Sequence, residues 1–278
     1  MRVFTVVAAV LLTLVSAPLV SGQAPATDTI PVQEIRLADG SVLYGRVVEG
    51  GDPVRIRLLS GDVLEIARSR VASVEVASGR VVNGAFWRED PNRTRLFFGP
   101  TGRGMRKGRG YVAAYELFMP FVGIAVRDDL VLAGGTPAFG GFEGRPYWLA
   151  PKVRVHSGAT TDVAVGALVF AVEDESAGVL YGVSTWSAAA GSFSVGAGYG
   201  FSDGELAERP MVMAGADLRV GKGMKLLSEN YVFPGGVGLL SFGTRFFGER
   251  LSADLGLGVA FSDGDSVTFP IVNFVYAW

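Results

Sequence analysis

The sequence predicts an all-β protein: an antiparallel transmembrane β-barrel of about ten to twelve strands, preceded by a small β domain. Three observations predict it. From residue 111 to the end, segments of about ten residues carry apolar side chains at every second position. The chain is apolar, with mean hydropathy +0.35, yet beyond its first residues it has no apolar run of the roughly 18 residues a membrane helix needs. The last thirteen residues, 266–278, alternate Pro270, Val272, Phe274, Tyr276 and Trp278 against Ile271, Asn273, Val275 and Ala277, and stop on the tryptophan.

Composition narrows the function classes. A net charge of −2 makes no electrostatic case for nucleic acid as a partner. The absence of cysteine excludes disulfides, thiolate metal sites, a cysteine nucleophile and a lipid-anchored N-terminal cysteine. Glycine, at 39 residues, is poor in helices and suits turns and crowded barrel interiors.

In chain order, residues 1–22 read as a secretory signal peptide. Arg2 supplies the charge, Val3 to Val15 the apolar core, and Val20 and Gly22 the small residues before the cut. A cut after Ala24 is disfavoured by Pro25. Residues 23–32 are a polar linker. Residues 33–77 then hold five short strands. Asp39-Gly40 marks a hairpin turn, Val54, Ile56 and Leu58 alternate with Arg55 and Arg57, and Arg68-Ser69-Arg70 forms a one-turn connector. This pattern resembles the SH3-like or Sm-like barrels found at the front of some bacterial envelope proteins. The resemblance implies a small closed barrel used as a scaffold or partner-contact module, here facing a periplasmic partner. The RNA binding of Sm proteins does not carry over. A signal peptide takes the domain out of the cytoplasm, and no stacking aromatics flank its basic residues.

Residues 78–110 are irregular and basic. Residues 94–99 are a candidate first barrel strand. The stretch 99–110 carries Arg103, Arg106, Lys107 and Arg109 among glycines, but it lacks the Gly-Lys-Ser/Thr ending of a phosphate-binding loop. It reads as a hairpin loop at a barrel rim or a segment tucked inside. The four basic residues are candidate contacts for phosphates of lipid head groups.

The barrel proper is assigned to 111–278. The alternation is cleanest in 192–201, 211–220 and 251–261, where Leu251, Ala253, Leu255, Leu257, Val259 and Phe261 share one face. Less regular candidates are 111–126, 129–138, 148–156, 162–172, 177–187, 223–233 and 236–247. With 266–278 these make eleven, and 94–99 is the candidate twelfth, since single-chain bacterial barrels use even numbers. Turn chemistry separates them at Asp128-Asp129, Ser202-Asp203-Gly204 and Ser262-Asp263-Gly264. A soluble sandwich, the alternative, should carry polar residues on the second parity, which here is mostly Gly, Ala and Ser. Tyr111, Tyr115, Tyr147, Trp148, Trp186, Tyr199, Phe201, Tyr231, Tyr276 and Trp278 sit near strand ends, where interfacial girdles belong. The region resembles bacterial outer-membrane β-barrel proteins, whose last strand ends on Phe or Trp. That resemblance implies an outer-membrane location with lipid as a partner. It also implies a C-terminal signal, Phe274, Tyr276 and Trp278, read by the barrel-assembly machinery.

If the apolar parity faces lipid, the inward charges are Glu116, Lys152, Arg154, Asp217, Arg219, Lys225, Glu229, Arg245 and Asp254, joined by His156. Five positive and four negative groups suit cross-lumen salt bridges better than an ion-selective constriction of one sign. Function therefore reads as a non-enzymatic barrel, porin-like: a narrow small-solute conduit or a structural and interaction protein. A lipid-modifying enzyme is the alternative, and His156, the sole histidine, would be its base. Ser157 points to the opposite face of the strand and is a poor partner for it. No cofactor or metal site is predicted, because the Ser-Asp-Gly repeats lack calcium-loop spacing.

Overall fold

The computed structural model describes residues 31–137, 144, 146–262 and 264–278. The expected signal peptide at 1–22, the linker up to residue 30 and residues 138–143 and 145 of the following loop lie outside the described residues.

Five short strands come first: β1 (Gln33–Leu37), β2 (Val42–Glu49), β3 (Val54–Leu58), β4 (Val63–Ile66) and β5 (Val71–Val76). They pair antiparallel in the order β4-β3-β2-β1-β5. Gly40, with φ +85°, closes the first hairpin, and the Ser41 amide donates to the Asp39 carboxylate at 2.9 Å. Ile35, Leu37, Val54, Ile56 and Val71 form the core. No ladder joins β4 to β5 among the described residues. A hairpin follows, β6 (Gly79–Val82) and β7 (Ala85–Arg88). It turns on Asn83-Gly84, both at positive φ as a two-residue turn requires.

Thirteen further strands build the wall: β8 (Gly110–Tyr115), β9 (Met119–Arg127), β10 (Leu130–Gly135), β11 (Tyr147–Leu149), β12 (Lys152–Ser157), β13 (Thr161–Val172), β14 (Glu175–Ser187), β15 (Gly191–Ser202), β17 (Met211–Gly221), β18 (Met224–Val232), β19 (Gly238–Phe247), β20 (Leu251–Ser262) and β21 (Asp265–Ala277). The two-residue β16 (Glu205–Leu206) extends β15 as a ribbon. β11 and β12 both pair with β13 and count as one wall strand, interrupted at Ala150-Pro151, where proline has no N–H to offer the ladder. The result is an antiparallel barrel of 12 strands. The ring closes where β21 meets β8, with Tyr276 opposite Val112, and Trp278 and Gly110 exchange backbone hydrogen bonds at 3.0 and 3.3 Å.

The count of twelve is reached by a different strand from the one expected. Residues 94–99 supply no wall strand; Arg95 and Pro100 make only an isolated bridge. The segment 111–126 is instead a hairpin, β8 and β9. Its turn at Glu116 and Leu117 takes positive φ values of 49° and 64° without glycine, so it carries no turn signal in sequence.

The two wall faces differ as the alternation requires. In β20, Ser252, Asp254 and Gly258 are buried, while Leu251, Leu255 and Leu257 are more than half exposed. Exposed apolar residues continue around the wall: Val122 and Ile124 on β9, Leu132 on β10, Leu149 on β11, Val165 on β13, Leu180 on β14, Leu218 on β17 and Phe242 on β19. Such a continuous apolar surface is far larger than a soluble monomer exposes. One end of the barrel has turns of two or three residues, at 128–129, 158–160, 188–190, 222–223 and 248–250. Its other end carries the longer connections 136–146, 203–210 and 233–237. The small sheet sits at the short-turn end, where Arg36 and Arg88 both pair with Glu249 of the β19–β20 turn.

Candidate functional site

The lumen is the candidate site, and it is occupied by the chain itself. A 12-strand wall encloses more space than its own inward side chains fill. Those side chains are small in several places: Ser192, Ser194, Gly196, Gly198, Gly215, Ser252 and Gly258 are all buried. The segment leading from β7 into β8, residues 89–109, enters this space at the short-turn end. It turns at 97–100 and returns to the same end to start β8. Leu96 and Phe97 are buried at its tip, against Leu227 and Ile271 of the wall.

Two glycines of the segment show how closely it fits. A Cβ on Gly99 would lie 2.5 Å from the Tyr231 hydroxyl and 2.7 Å from the Met213 sulfur. A Cβ on Gly102 would lie 2.2 Å from the Asp162 carbonyl oxygen. The basic Gly-rich stretch thus takes the tucked-inside course over 99–104, and its glycines serve close packing rather than loop mobility.

Wall charges hold the segment. Arg245 is fully buried on β19. It donates to Asp254 through Nε at 2.6 Å and Nη2 at 2.8 Å, and through Nη1 to Asp90 at 3.1 Å and the Asn92 carbonyl at 2.8 Å. Its Nη2 also bonds the Leu96 carbonyl. Lys225 pairs with Asp90 and lies 3.7 Å from Asp217. Glu229 accepts amide hydrogens from Phe98 at 3.1 Å and Gly99 at 3.0 Å, and the Tyr231 hydroxyl at 2.8 Å. Lys152 spends its three N–H donors on the Thr94, Thr101 and Arg103 carbonyls, at 3.2, 3.0 and 2.9 Å. Asn273 donates to the Phe97 carbonyl at 3.2 Å, and Thr185 accepts the Gly102 amide at 2.8 Å. Buried charges are tolerable only when paired in this way. The segment's own Asp90 answers Lys225 and Arg245; burial would raise its carboxyl, but those two cations hold it well below the usual carboxylate range.

Six of the ten inward residues read from the sequence therefore grip the segment or its partners: Lys152, Asp217, Lys225, Glu229, Arg245 and Asp254. Arg154 lies nearer the short-turn end, 3.8 Å from Asp162. Arg219 is at the rim, between the rings of Phe247 at 4.4 Å and Trp87 at 5.4 Å, where it ties the β6–β7 hairpin to the barrel.

Other expectations are corrected. Glu116 lies in the β8–β9 turn rather than along a wall strand, and its amide donates to the Asn273 side chain. His156 faces outward. A bulge between Arg154 and His156 places His156 opposite Val163, while Arg154 stays opposite the buried Ala164, and an extra residue in a strand flips every side chain beyond it. Arg103 is not a head-group contact; it lies in the lumen, 3.6 Å from Asp217, and donates to Ser187 at 2.9 Å. Arg106, Lys107 and Arg109 are exposed. Of the expected girdle, Tyr111, Tyr115 and Trp148 are buried inside with Phe121, and Tyr231 also points inward. Tyr147, Trp186, Tyr199, Phe274, Tyr276 and Trp278 are exposed.

Asp90, Asn92 and Arg95 were not legible as lumen residues, because an irregular segment has no periodicity to reveal its buried face. Arg95 lies over the rings of Tyr115 and Phe121, at 5.9 and 5.5 Å.

No protein-family model matches the chain, and no characterised protein sequence matches it. Among solved structures it is similar to the KdgM porin in complex with disordered oligogalacturonate, at a TM-score of 0.49 and 7% identity over 61% of this chain and 98% of that one. A structure of the KdgM porin alone matches with a TM-score of 0.48 at the same identity and coverage.

Proposed function

We propose that the chain is an outer-membrane β-barrel forming a small-solute conduit held shut by its own segment 89–109. The observation that carries this is the grip of Arg245 on that segment inside a closed wall. A lumen already filled by wall side chains would need no such insert. Because the segment enters and leaves by one end, it can withdraw without threading the barrel. The membrane reading is supported by the apolar outer face and by exposed aromatics near strand ends, such as Trp186 and Tyr276 at one end and Tyr147 and Tyr199 towards the other.

The short-turn end, with the small sheet, faces the periplasm in this reading, since outer-membrane barrels place short turns there and longer loops outside. The small sheet is an SH3-like module in strand order, and β4 and β5, which pair on one side only among the described residues, offer edges to a periplasmic partner. Arg106, Lys107 and Arg109 face phosphates of the inner leaflet. Phe274, Tyr276 and Trp278 form the assembly signal.

Planar-bilayer recording tests the conduit. The full chain should be closed most of the time, and a chain with 90–104 replaced by a short Gly-Ser linker should conduct steadily. A replaced chain that inserts but passes no current rejects the conduit. The nearly complete pairing of lumen charges favours a second reading, a permanently closed membrane anchor for the small sheet. Brief openings of the full chain under applied voltage would count against the anchor.

A further inference from the structure

Beyond the tip of the inserted segment the lumen keeps a cavity of about 130 Å³. Its walls are mostly apolar, with Phe98, Leu168, Val179 and Met213 among them, and Arg95 and Tyr181 supply polar groups. An apolar cavity of roughly this size, about 150 Å³, takes up a benzene ring in other proteins.

Arg95 differs from the other buried cations of the lumen. Arg245, Lys225 and Arg103 each have a carboxylate within 4.0 Å, and Lys152 has three carbonyls for its three donors. Arg95 has no carboxylate within that distance among the described residues. Its Nε reaches the Tyr111 hydroxyl at 3.4 Å and its Nη1 the Phe98 carbonyl at 2.9 Å, while Nη2 has no hydrogen-bond partner there. The Tyr181 hydroxyl likewise has no partner among the described residues, whereas that of Tyr231 is engaged by Glu229. The Arg95 head is held by the Tyr111 hydroxyl and the Phe98 carbonyl, with its central carbon 5.9 and 5.5 Å from the Tyr115 and Phe121 ring centres.

We propose that this cavity binds a small aromatic monocarboxylate, with its carboxylate on the free edge of Arg95 and the Tyr181 hydroxyl and its ring among Phe98, Val179 and Met213. A planar guanidinium matches a carboxylate's two oxygens, and low dielectric strengthens the pair. The apolar walls accept the ring and disfavour a hydrated anion such as phosphate. This deepens the conduit reading and rests on it by naming what the barrel admits.

Titration calorimetry on the purified full chain in detergent micelles tests the site, with benzoate, benzyl alcohol and inorganic phosphate as probes. Benzoate should bind at least tenfold more tightly than benzyl alcohol or phosphate. Arg95→Gln should weaken benzoate at least tenfold while Arg106→Gln leaves it unchanged. Equal binding of benzoate and benzyl alcohol, tighter binding of phosphate, no benzoate binding, or an unaffected Arg95→Gln protein overturns the proposal. The benzoate comparison with the neutral alcohol needs no variant, so it stands if Arg95→Gln does not fold. A barrel that binds benzoate but never conducts removes the conduit and leaves the site; one that conducts without binding removes the site alone.

Discussion

Arg245 and Asp254, directly opposite each other on β19 and β20, form a two-point ion pair that is wholly buried. The same guanidinium spends its remaining donors on the inserted segment, at Asp90 and at the carbonyls of Asn92, Arg95 and Leu96. Wall and insert thus share one charged centre.

Removing the arginine leaves Asp254 and Asp90 buried with lost partners, which costs about 3–5 kcal/mol in comparable pairs. Arg245→Ala should lower the urea midpoint of the folded barrel markedly. Arg127→Ala, which loses only an exposed pair with Asp129, should change it by less than about 1 kcal/mol. Equal effects of the two substitutions would remove the central role given to Arg245.

Gly102→Ala places a Cβ 2.2 Å from a backbone carbonyl of the wall, which cannot rotate away. The insert should be displaced, and single-channel recording should show more open time. Gly182→Ala, with nothing within 4 Å of the new atom, is the matched control and should behave as the unaltered chain.

Asp90 contributes an acid-sensitive hold on the insert. Its folded pKa lies below the ordinary 3.8, so its contribution to holding the insert is complete above that value. The contribution is lost as pH falls through the lower, folded value. The Asp90 share of any acid-driven opening should therefore be absent from neutral pH to about 4 and appear only in stronger acid. Asp90→Asn should open more at neutral pH and lose this acid dependence. A rise in opening between pH 7 and 5 that is present in the unaltered chain and absent from Asp90→Asn would contradict the assignment.

Loss of Trp278 removes its backbone exchange with Gly110 and the ring that covers that glycine at the closing seam. Deletion of Trp278 should lower the fraction of heat-shifted, membrane-inserted protein well below that of Tyr199→Ala. Equal insertion of the two would end the assembly-signal reading.

Much of the wall was legible because its outer face is uniformly apolar and its inner face small or charged, as in β15, β17, β20 and β21. The misreadings share a physical origin. Positions near strand ends suggest a girdle for Tyr111, Tyr115 and Trp148, but a lumen filled with protein is a core, and aromatics are welcome there. The apolar residues Leu96, Phe97 and Phe98 read as a strand for the same reason, being apolar to fit that core. His156 was misplaced because one extra residue at a bulge reverses the parity, and sequence alternation does not mark bulges. The hairpin at 116–118 hid because two non-glycine residues adopt the left-handed conformation there.

The most direct test of an occupied lumen uses the absence of native cysteine. A Cβ at position 215 of β17 would lie 2.3 Å from Leu96 Cδ1 at the tip of the insert, so a cysteine pair at 96 and 215 is within about 5 Å for a disulfide. In outer-membrane vesicles, Leu96→Cys with Gly215→Cys should oxidise to a faster-migrating, reducible form in most molecules and suppress all conductance. A pair that stays reduced in folded, heat-shifted barrels, while the adjacent wall pair Thr185→Cys with Ser194→Cys oxidises fully, would show that the segment does not occupy the lumen.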